Sequence, residues 1–537
     1  MGASLRALRA LVLLAGFHLL GFVMLALLGA IDWAATLWAP GLWALKLYLV
    51  TGVLAVPVIR GMLMLRTPED EAAGGVRVTE ADEPRLWQAV RELAGEVGTR
   101  GPDEIRLTAE VNAAVSEDSR LLGLRGGRRR LYLGLPLMAG LSEAQLRAVL
   151  AHEFGHYTHA DTRLSAIPAR GRVQVERTVA HFERKAGGKV AKERARQEKK
   201  AAKRLAKGRT AREIDTTGVG FTFRTMAKIY TAYGRFSLRA TQADSRRQEL
   251  AADLAAARIA GRDATASALR EIAAVEQANG FYLDSYAMLG AEFGLLPPHG
   301  EVFGGVRHLL AARSEELDEL RQDLPTRPAS PYDSHPPLAE RVARLEALPD
   351  DGLGARPSLP SLSLLAAPEA SLAAVEAVSL TEDAQRMLRL EWPDLVHESM
   401  TARFAREAEP IRRATAEVAG TEGGTGAGTA SLDALLDAID AGKVRQITDR
   451  LPKSEQAEAA TGRAAREFAR PVLRRGLSLL VTGVLTDDGR ARWRLSWSGP
   501  ASLRMPPGYE DELPAALDAA VADRPDTAPL RMLVRTP

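Results

Sequence analysis

Residues 11–31 (LVLLAGFHLLGFVMLALLGAI) contain no charged side chain. Coiled as a helix at about 1.5 Å per residue they reach about 31 Å, the thickness of a hydrocarbon core, and this run constrains the chain more than any other feature. A cleaved signal peptide is the competing reading, since Arg6 and Arg9 precede the run and Gly29 and Ala30 close it. The run is longer than the roughly 7–15 apolar residues of such a signal, and a second apolar stretch follows at 43–65, so a retained span is expected. Lys46 and Arg60 sit in the second stretch near ends from which long side chains reach the interface. Between the two stretches stand Asp32, Trp33, Trp38 and Trp43 with no Lys or Arg, whereas Arg6, Arg9, Arg60 and Arg66 flank the outer ends. The positive-inside rule turns both ends to the cytoplasm, and the tryptophans fit an aromatic belt on the far side. Residues 1–66 are therefore expected to form a two-span hairpin anchor in the cell membrane, touching its lipids, with everything downstream on the cytoplasmic side.

The 537 residues are 46% hydrophobic, enough for two to four folded units. There is no cysteine, which removes disulfides, thiolate nucleophiles and Cys-held metals, so a metal here must be held by His and carboxylate. Residues 184–212 hold 13 Lys/Arg against 2 Glu; subtracting that excess of 11 from the net charge of +3 leaves the rest of the chain at −8. The basic charge belongs to one segment and not to a groove-forming domain, so no nucleic-acid partner is expected. The segment reads as a solvated helix or a disordered arm inserted in a domain spanning 67–348. Beyond it, 349–419 read as a helical extension, 420–430 (GTEGGTGAGTA) as a flexible linker and 431–537 as a small C-terminal α+β domain. That last region is expected to contain a hairpin of LSLLVTGVL and ARWRLSWSG around Asp487, Asp488 and Gly489.

Within 67–348, the segments 104–109 and 129–135 read as strands, with Gly123, Gly126 and Gly127 suggesting a turn before the second. Ser142 opens a helix in capping-box form, with Leu146, Val149 and Leu150 as its apolar stripe. On that helix stands His152-Glu153-Phe154-Gly155-His156. Four residues return to the same helical face, so His152 and His156 can present two imidazoles to one zinc ion. Glu153 projects beside them, placed to take a proton from a water that the metal activates and to pass it to a leaving amine. Chance alone yields such a pentapeptide in on the order of 1 in 100 chains of this composition; its place on a capped helix after a strand raises its weight. A catalytic zinc takes three protein ligands, and the candidates for the third are His159, Asp161 or a later carboxylate. Glu249 and Asp253, four apart on an Ala-rich helical stretch, share a face, so one can bind metal while the other bonds a ligating imidazole.

In these blocks the chain resembles the membrane-anchored zinc metallopeptidases of the HtpX type, relatives of the CAAX prenyl endopeptidases. Asn112-Ala113-Ala114-Val115 is similar to the family's edge-strand block, Tyr132–Leu141 with the helix to His156 to its strand, turn and active-site helix, and Glu249–Asp253 to its Glu-x-x-x-Asp. His335-Pro336-Pro337-Leu338-Ala339-Glu340-Arg341 is similar to its His-Pro-Pro-x-x-x-Arg block. The resemblance covers about residues 75–348. It implies one zinc per chain on His152, His156 and Glu249, with Asp253 behind them. It also implies Glu153 as the base, His335 and Arg341 acting on the oxyanion, and a substrate strand laid along the edge that begins at Asn112.

The fold so implied is a membrane-anchored α+β protein, with a mostly helical zincin-type domain of the gluzincin kind, a small sheet and a C-terminal α/β region. Its implied activity is hydrolysis of peptide bonds in polypeptide substrates, misfolded or membrane proteins among them. Two alternatives belong to other classes: a tethered binding or chaperone-like module with a non-catalytic zinc, and a site-specific sensor protease. The chain departs from the family where 157–248 are polar and basic instead of membrane-spanning, and where the region after about 350 has no counterpart. His18, His181, His299, His308 and His397 are read as structural or incidental.

Overall fold

The computed structural model describes the chain outside residues 1–2, 39–40, 64–73, 121–124, 158–161, 206–214, 325–335, 354–357, 421–427, 453–454 and 536–537. It falls into two units, Met1–Ala274 with Asp318–Pro368, and Val275–Leu317 with Glu369–Pro537. Apolar length makes α1 (Ala3–Trp38) a single helix that runs through Asp32 and Trp33, expected in the connection, and α2 (Gly41–Leu63) follows. Asp32 is turned onto α2, where Thr51 Oγ1 donates to its carboxylate at 2.7 Å. Of the two expected spans, one, His18–Trp38, is long and apolar enough to cross a membrane; the apolar part of α2 is the shorter Gly41–Val56, which ends before Pro57 and Arg60. Phe22, Leu27, Trp33, Trp38, Leu42 and Trp43 stand exposed on this hairpin.

In the same unit, β1 (Val76–Val78), β2 (Glu104–Thr108), β3 (Ala113–Arg120) and β4 (Arg125–Gly134) form a sheet in the order β1-β2-β4-β3. β2 and β4 are parallel and the outer pairs antiparallel, which leaves β3 at one edge. The strands expected at 104–109 and 129–135 are present, and their Ile105, Leu107, Leu131 and Leu133 are fully buried. Of the glycines expected in a turn before the second strand, Gly126 and Gly127 lie within β4 itself. Gly126 belongs to β4, where it pairs with Ser119, while Gly123 lies outside the described residues. Helix α3 (Pro84–Val97) starts on a proline, ends on the left-handed Gly98, and buries Leu86, Val90 and Leu93 at helical spacing. β4 runs into α4 (Leu135–Gly140) at Gly134, where a Cβ would stand 1.7 Å from the Glu110 carbonyl oxygen, so the strand can leave the sheet only through glycine.

Helix α5 (Glu143–Gly155) begins in the expected capping box: Gln145 N donates to Ser142 Oγ at 3.3 Å, and Ser142 N to Gln145 Oε1 at 2.9 Å. A strap from residues 358–363 holds the same helix end. Glu143 N donates to Leu359 O at 2.7 Å, Ser361 N to Leu141 O at 2.9 Å, and the buried Ser361 Oγ to Met138 O at 2.8 Å. Helices α6 (Thr162–Leu205) and α7 (Phe221–Ala260) form a hairpin with Val175 against Gly234 and Ala186 against Gly220. Of the two readings of the basic segment, the solvated helix describes 184–205. Val175 and Phe182 of α6, Met226, Ala227 and Tyr230 of α7 and Val58 of α2 form an apolar cluster, with Leu20, Met24 and Leu25 of α1 packed on it.

The other unit is mostly helical, with a core in which Ala408, Ile411, Leu435, Leu436, Leu477, Val481, Val484 and Leu517 are buried. The expected hairpin is corrected here. Residues 477–485 lie inside the helix Gly462–Asp487, and the strand Arg492–Arg494 pairs instead with Ser502–Arg504. Leu473, Leu477, Leu480, Val484 recur at helical spacing, and burial of that stripe outweighs the strand propensity of its Val and Thr.

Replacing Ser142 by Ala removes one of the two bonds of the capping box, and we expect it to cost about 1 kcal/mol. The readout is a lower denaturant midpoint for the purified chain, largely restored by Ser142→Asp. An unchanged midpoint would assign the helix end to the strap alone.

Candidate metal centre

Three elements build the site. α5 carries His152 and Glu153 in its last turn and His156 as its C-cap; α7 carries Glu249 and Asp253 one turn apart; the helix Leu338–Glu346 carries Arg341. α5 and α7 approach closely because small residues meet between them: Gly155 lies against Ala252 and Ala255. A larger side chain at 155 would push the histidines away from Glu249.

His152, His156 and Glu249 each offer a ligand atom to one point. His152 Nε2 and His156 Nε2 are 3.3 Å apart, and the Glu249 carboxylate straddles them, Oε2 3.5 Å from His152 Nε2 and Oε1 3.7 Å from His156 Nε2. A tetrahedral ion with ligand bonds of about 2.0–2.1 Å needs edges of about 3.3–3.4 Å between its ligands. In this triangle of side chains the two imidazole nitrogens stand at that edge length with one Glu249 oxygen beside each, and two neutral imidazoles plus a carboxylate are ligands that suit zinc.

Behind the triangle runs a chain of charges. His152 Nδ1 is 2.9 Å from Asp253 Oδ1, and Arg341 grips Asp253 with both arms, Nε to Oδ2 at 2.8 Å and a terminal nitrogen to Oδ1 at 2.6 Å. This is the carboxylate–histidine arrangement that fixes which ring nitrogen faces a metal. Burial disfavours a charged His152, but Asp253, Glu249 and the nearby Glu153 outweigh it and raise its pKa from the ordinary 6.5 to about 9. Burial likewise raises the Asp253 carboxyl, and Arg341 and His152 more than offset this, holding it below the usual range. These carboxylates favour a cation at His152, a place that a metal ion held by His152, His156 and Glu249 would fill in exchange for the proton.

The structure brings together His152, Glu153, His156, Glu249, Asp253 and Arg341. Arg341 is engaged by Asp253, with Glu249 4.0 Å away. Asn112 stands exposed just before β3, its carbonyl accepting from Gly134 N at 2.8 Å. His159, Asp161 and His335 lie outside the described residues. Sequence reasoning did not find the strap at 358–363 or the bidentate partner of Arg341, since neither leaves a local pattern in the sequence.

Ligand atoms converging from two helices, with a carboxylate on the same turn, define the class: a mostly helical domain with a small sheet and a metal-binding cluster of the kind proteases carry. Peptidase family M48 matches residues 80–348, just over half of the chain, and the chain belongs to that family. The match spans every residue of the cluster. No curated protein and no solved structure matches the chain.

Glu249→Ala should strip the chain of zinc under dialysis, because it removes one of the three side chains that could hold the ion. Asp253→Asn should weaken zinc about 10- to 100-fold in a chelator competition, by releasing the ring of His152. Full retention in the first variant would move the third ligand to another carboxylate.

Proposed function

We propose that this chain is a zinc-dependent, membrane-anchored endopeptidase that hydrolyses peptide bonds in misfolded or membrane proteins. The observation that carries the reading is the triangle of His152, His156 and Glu249 with Glu153 on the same helical turn. When bound, zinc supplies a Lewis acid that lowers the pKa of a water to about 7. His152 and His156 hold the ion through neutral nitrogens, and Asp253 keeps His152 in the required tautomer. Glu153 accepts the proton of the attacking water and delivers it to the amine as the peptide bond breaks. His335 and Arg341 act on the oxygen that gains negative charge, a role that rests on the His-Pro-Pro-x-x-x-Arg block. Arg341 also holds Asp253. The open edge of β3, next to Asn112, receives the substrate as an added strand, so that backbone bonds bind it and side chains are read lightly. That manner of binding suits unfolded polypeptides, which present bare backbone.

The anchor reading rests on α1, with the catalytic domain in the cytoplasm and polypeptides and membrane lipids as partners.

Glu153→Gln should abolish cleavage of an unfolded protein such as casein while zinc content stays at one per chain. A wild type that holds zinc and cleaves nothing would return the chain to a binding module, and cleavage of one native target alone to a sensor protease. For topology, a protease added outside intact cells should leave residues 67–537 uncut, whereas inverted vesicles should expose them. Digestion from outside would reverse the orientation.

A further inference from the structure

The open edge of β3 is not uniform. Gly134 N donates to Asn112 O, so these two residues form a hydrogen-bonded pair of the β3–β4 ladder. Such pairs alternate in an antiparallel ladder, and the backbone groups of Ala114 and Ser116 therefore face β4. Those of Ala113, Val115 and Glu117 point away from it, to the open edge. A second bond checks this parity: the carbonyl of Arg129, opposite Glu117, turns away from β3 and accepts from Asp103 N at 2.8 Å.

One outward carbonyl is already taken. Tyr157 Oη donates to Val115 O at 2.8 Å. Tyr157 directly follows the metal-ligand candidate His156, in the turn that ends α5. Its ring is held from several sides. The Arg129 guanidinium lies 4.6 Å from the ring centre and is itself fixed by Glu117 at 3.0 Å, Thr99 Oγ1 at 3.1 Å and the Arg100 carbonyl. Thr99 Oγ1 also donates to the Tyr157 carbonyl at 3.4 Å. The phenol is a fixture pinned across the edge at the second outward residue.

We infer that Tyr157 is a specificity-determining stop on the substrate edge. An extended polypeptide can take ladder bonds from Ala113 and reach Val115, but the phenol occupies the Val115 carbonyl and bars the backbone from continuing to Glu117. The enzyme therefore reads a limited number of backbone positions on that side of the scissile bond, whatever the side chains. This rests on the reading of β3 as the substrate edge.

The test uses the full chain with Glu153→Gln, loaded with zinc and saturated with an uncleaved extended peptide, and hydrogen exchange resolved to single amides. Slowed exchange at Ala113 N–H with unchanged exchange at Glu117 N–H is the expected result. Slowing at both amides overturns the stop, and slowing at neither overturns the substrate edge itself. Kinetics give a second measurement on a peptide series lengthened one residue at a time on each side of the cleaved bond. For the wild type, KM should stop falling at a fixed length on one side. In Tyr157→Ala the next residue should lower KM by about 2- to 12-fold, the contribution of one net hydrogen bond, with kcat unchanged. An equal rise in KM for short and long peptides would make Tyr157 a support for the strand and not its stop.

Discussion

The catalytic half of the molecule depends on placing two buried carboxylates, Glu249 and Asp253, against two imidazoles without leaving a net charge stranded. An unpaired buried carboxylate is costly, and truncating one partner of a buried pair typically costs about 3–5 kcal/mol. Here each carboxylate has its own cation: Arg341 neutralises Asp253 through two parallel bonds, and the metal would neutralise Glu249. The Arg341 fork matters for geometry as well as charge. It fixes the plane of the Asp253 carboxylate, that plane fixes the ring of His152, and the ring sets the direction of Nε2. The contact of Gly155 with Ala252 acts at the same point, because helices held farther apart would open the ligand triangle.

How far the sequence disclosed this depends on the range of each interaction. The His-Glu-x-x-His turn, its Ser142 cap and the Glu249/Asp253 pair are local patterns on single helices, and each occupies its expected place. The strands read at 104–109 and 129–135 are present, though the second begins earlier, at Arg125, across the glycines that read as a turn. Contacts between elements were not legible. Ser361 lies more than 200 residues from the helix end it ties down, and nothing in its own neighbourhood announces the tie. The segment 477–485 misled for the opposite reason: a short apolar run fits strand or helix, and burial on a helical stripe decided it. His335 was named through the resemblance, and its place lies outside the described residues.

The helices beside α1 are apolar on one side only. Phe182 and Phe223 pack in the same cluster as Met24 of α1, and charged residues follow at once on the outer faces of α6 and α7, with Lys185, Lys189, Arg224 and Lys228 exposed. A charge at the centre of a bilayer costs about 2.5–3.5 kcal/mol on an insertion scale. If α1 crosses the membrane, its lipid contact must come from the exposed apolar side chains of α1 and α2, while the α6–α7 side turns to water, headgroups or protein.

Helix α7 joins this bundle to the chemistry without a break. Tyr230 sits in the cluster with Met24 and Glu249 in the metal triangle, 19 residues apart on one helix. At 1.5 Å per residue that is about 28 Å. A continuous helix thus carries the apolar cluster and Glu249 at a set separation, so whatever holds the cluster in place also fixes the height of the ligand triangle above it.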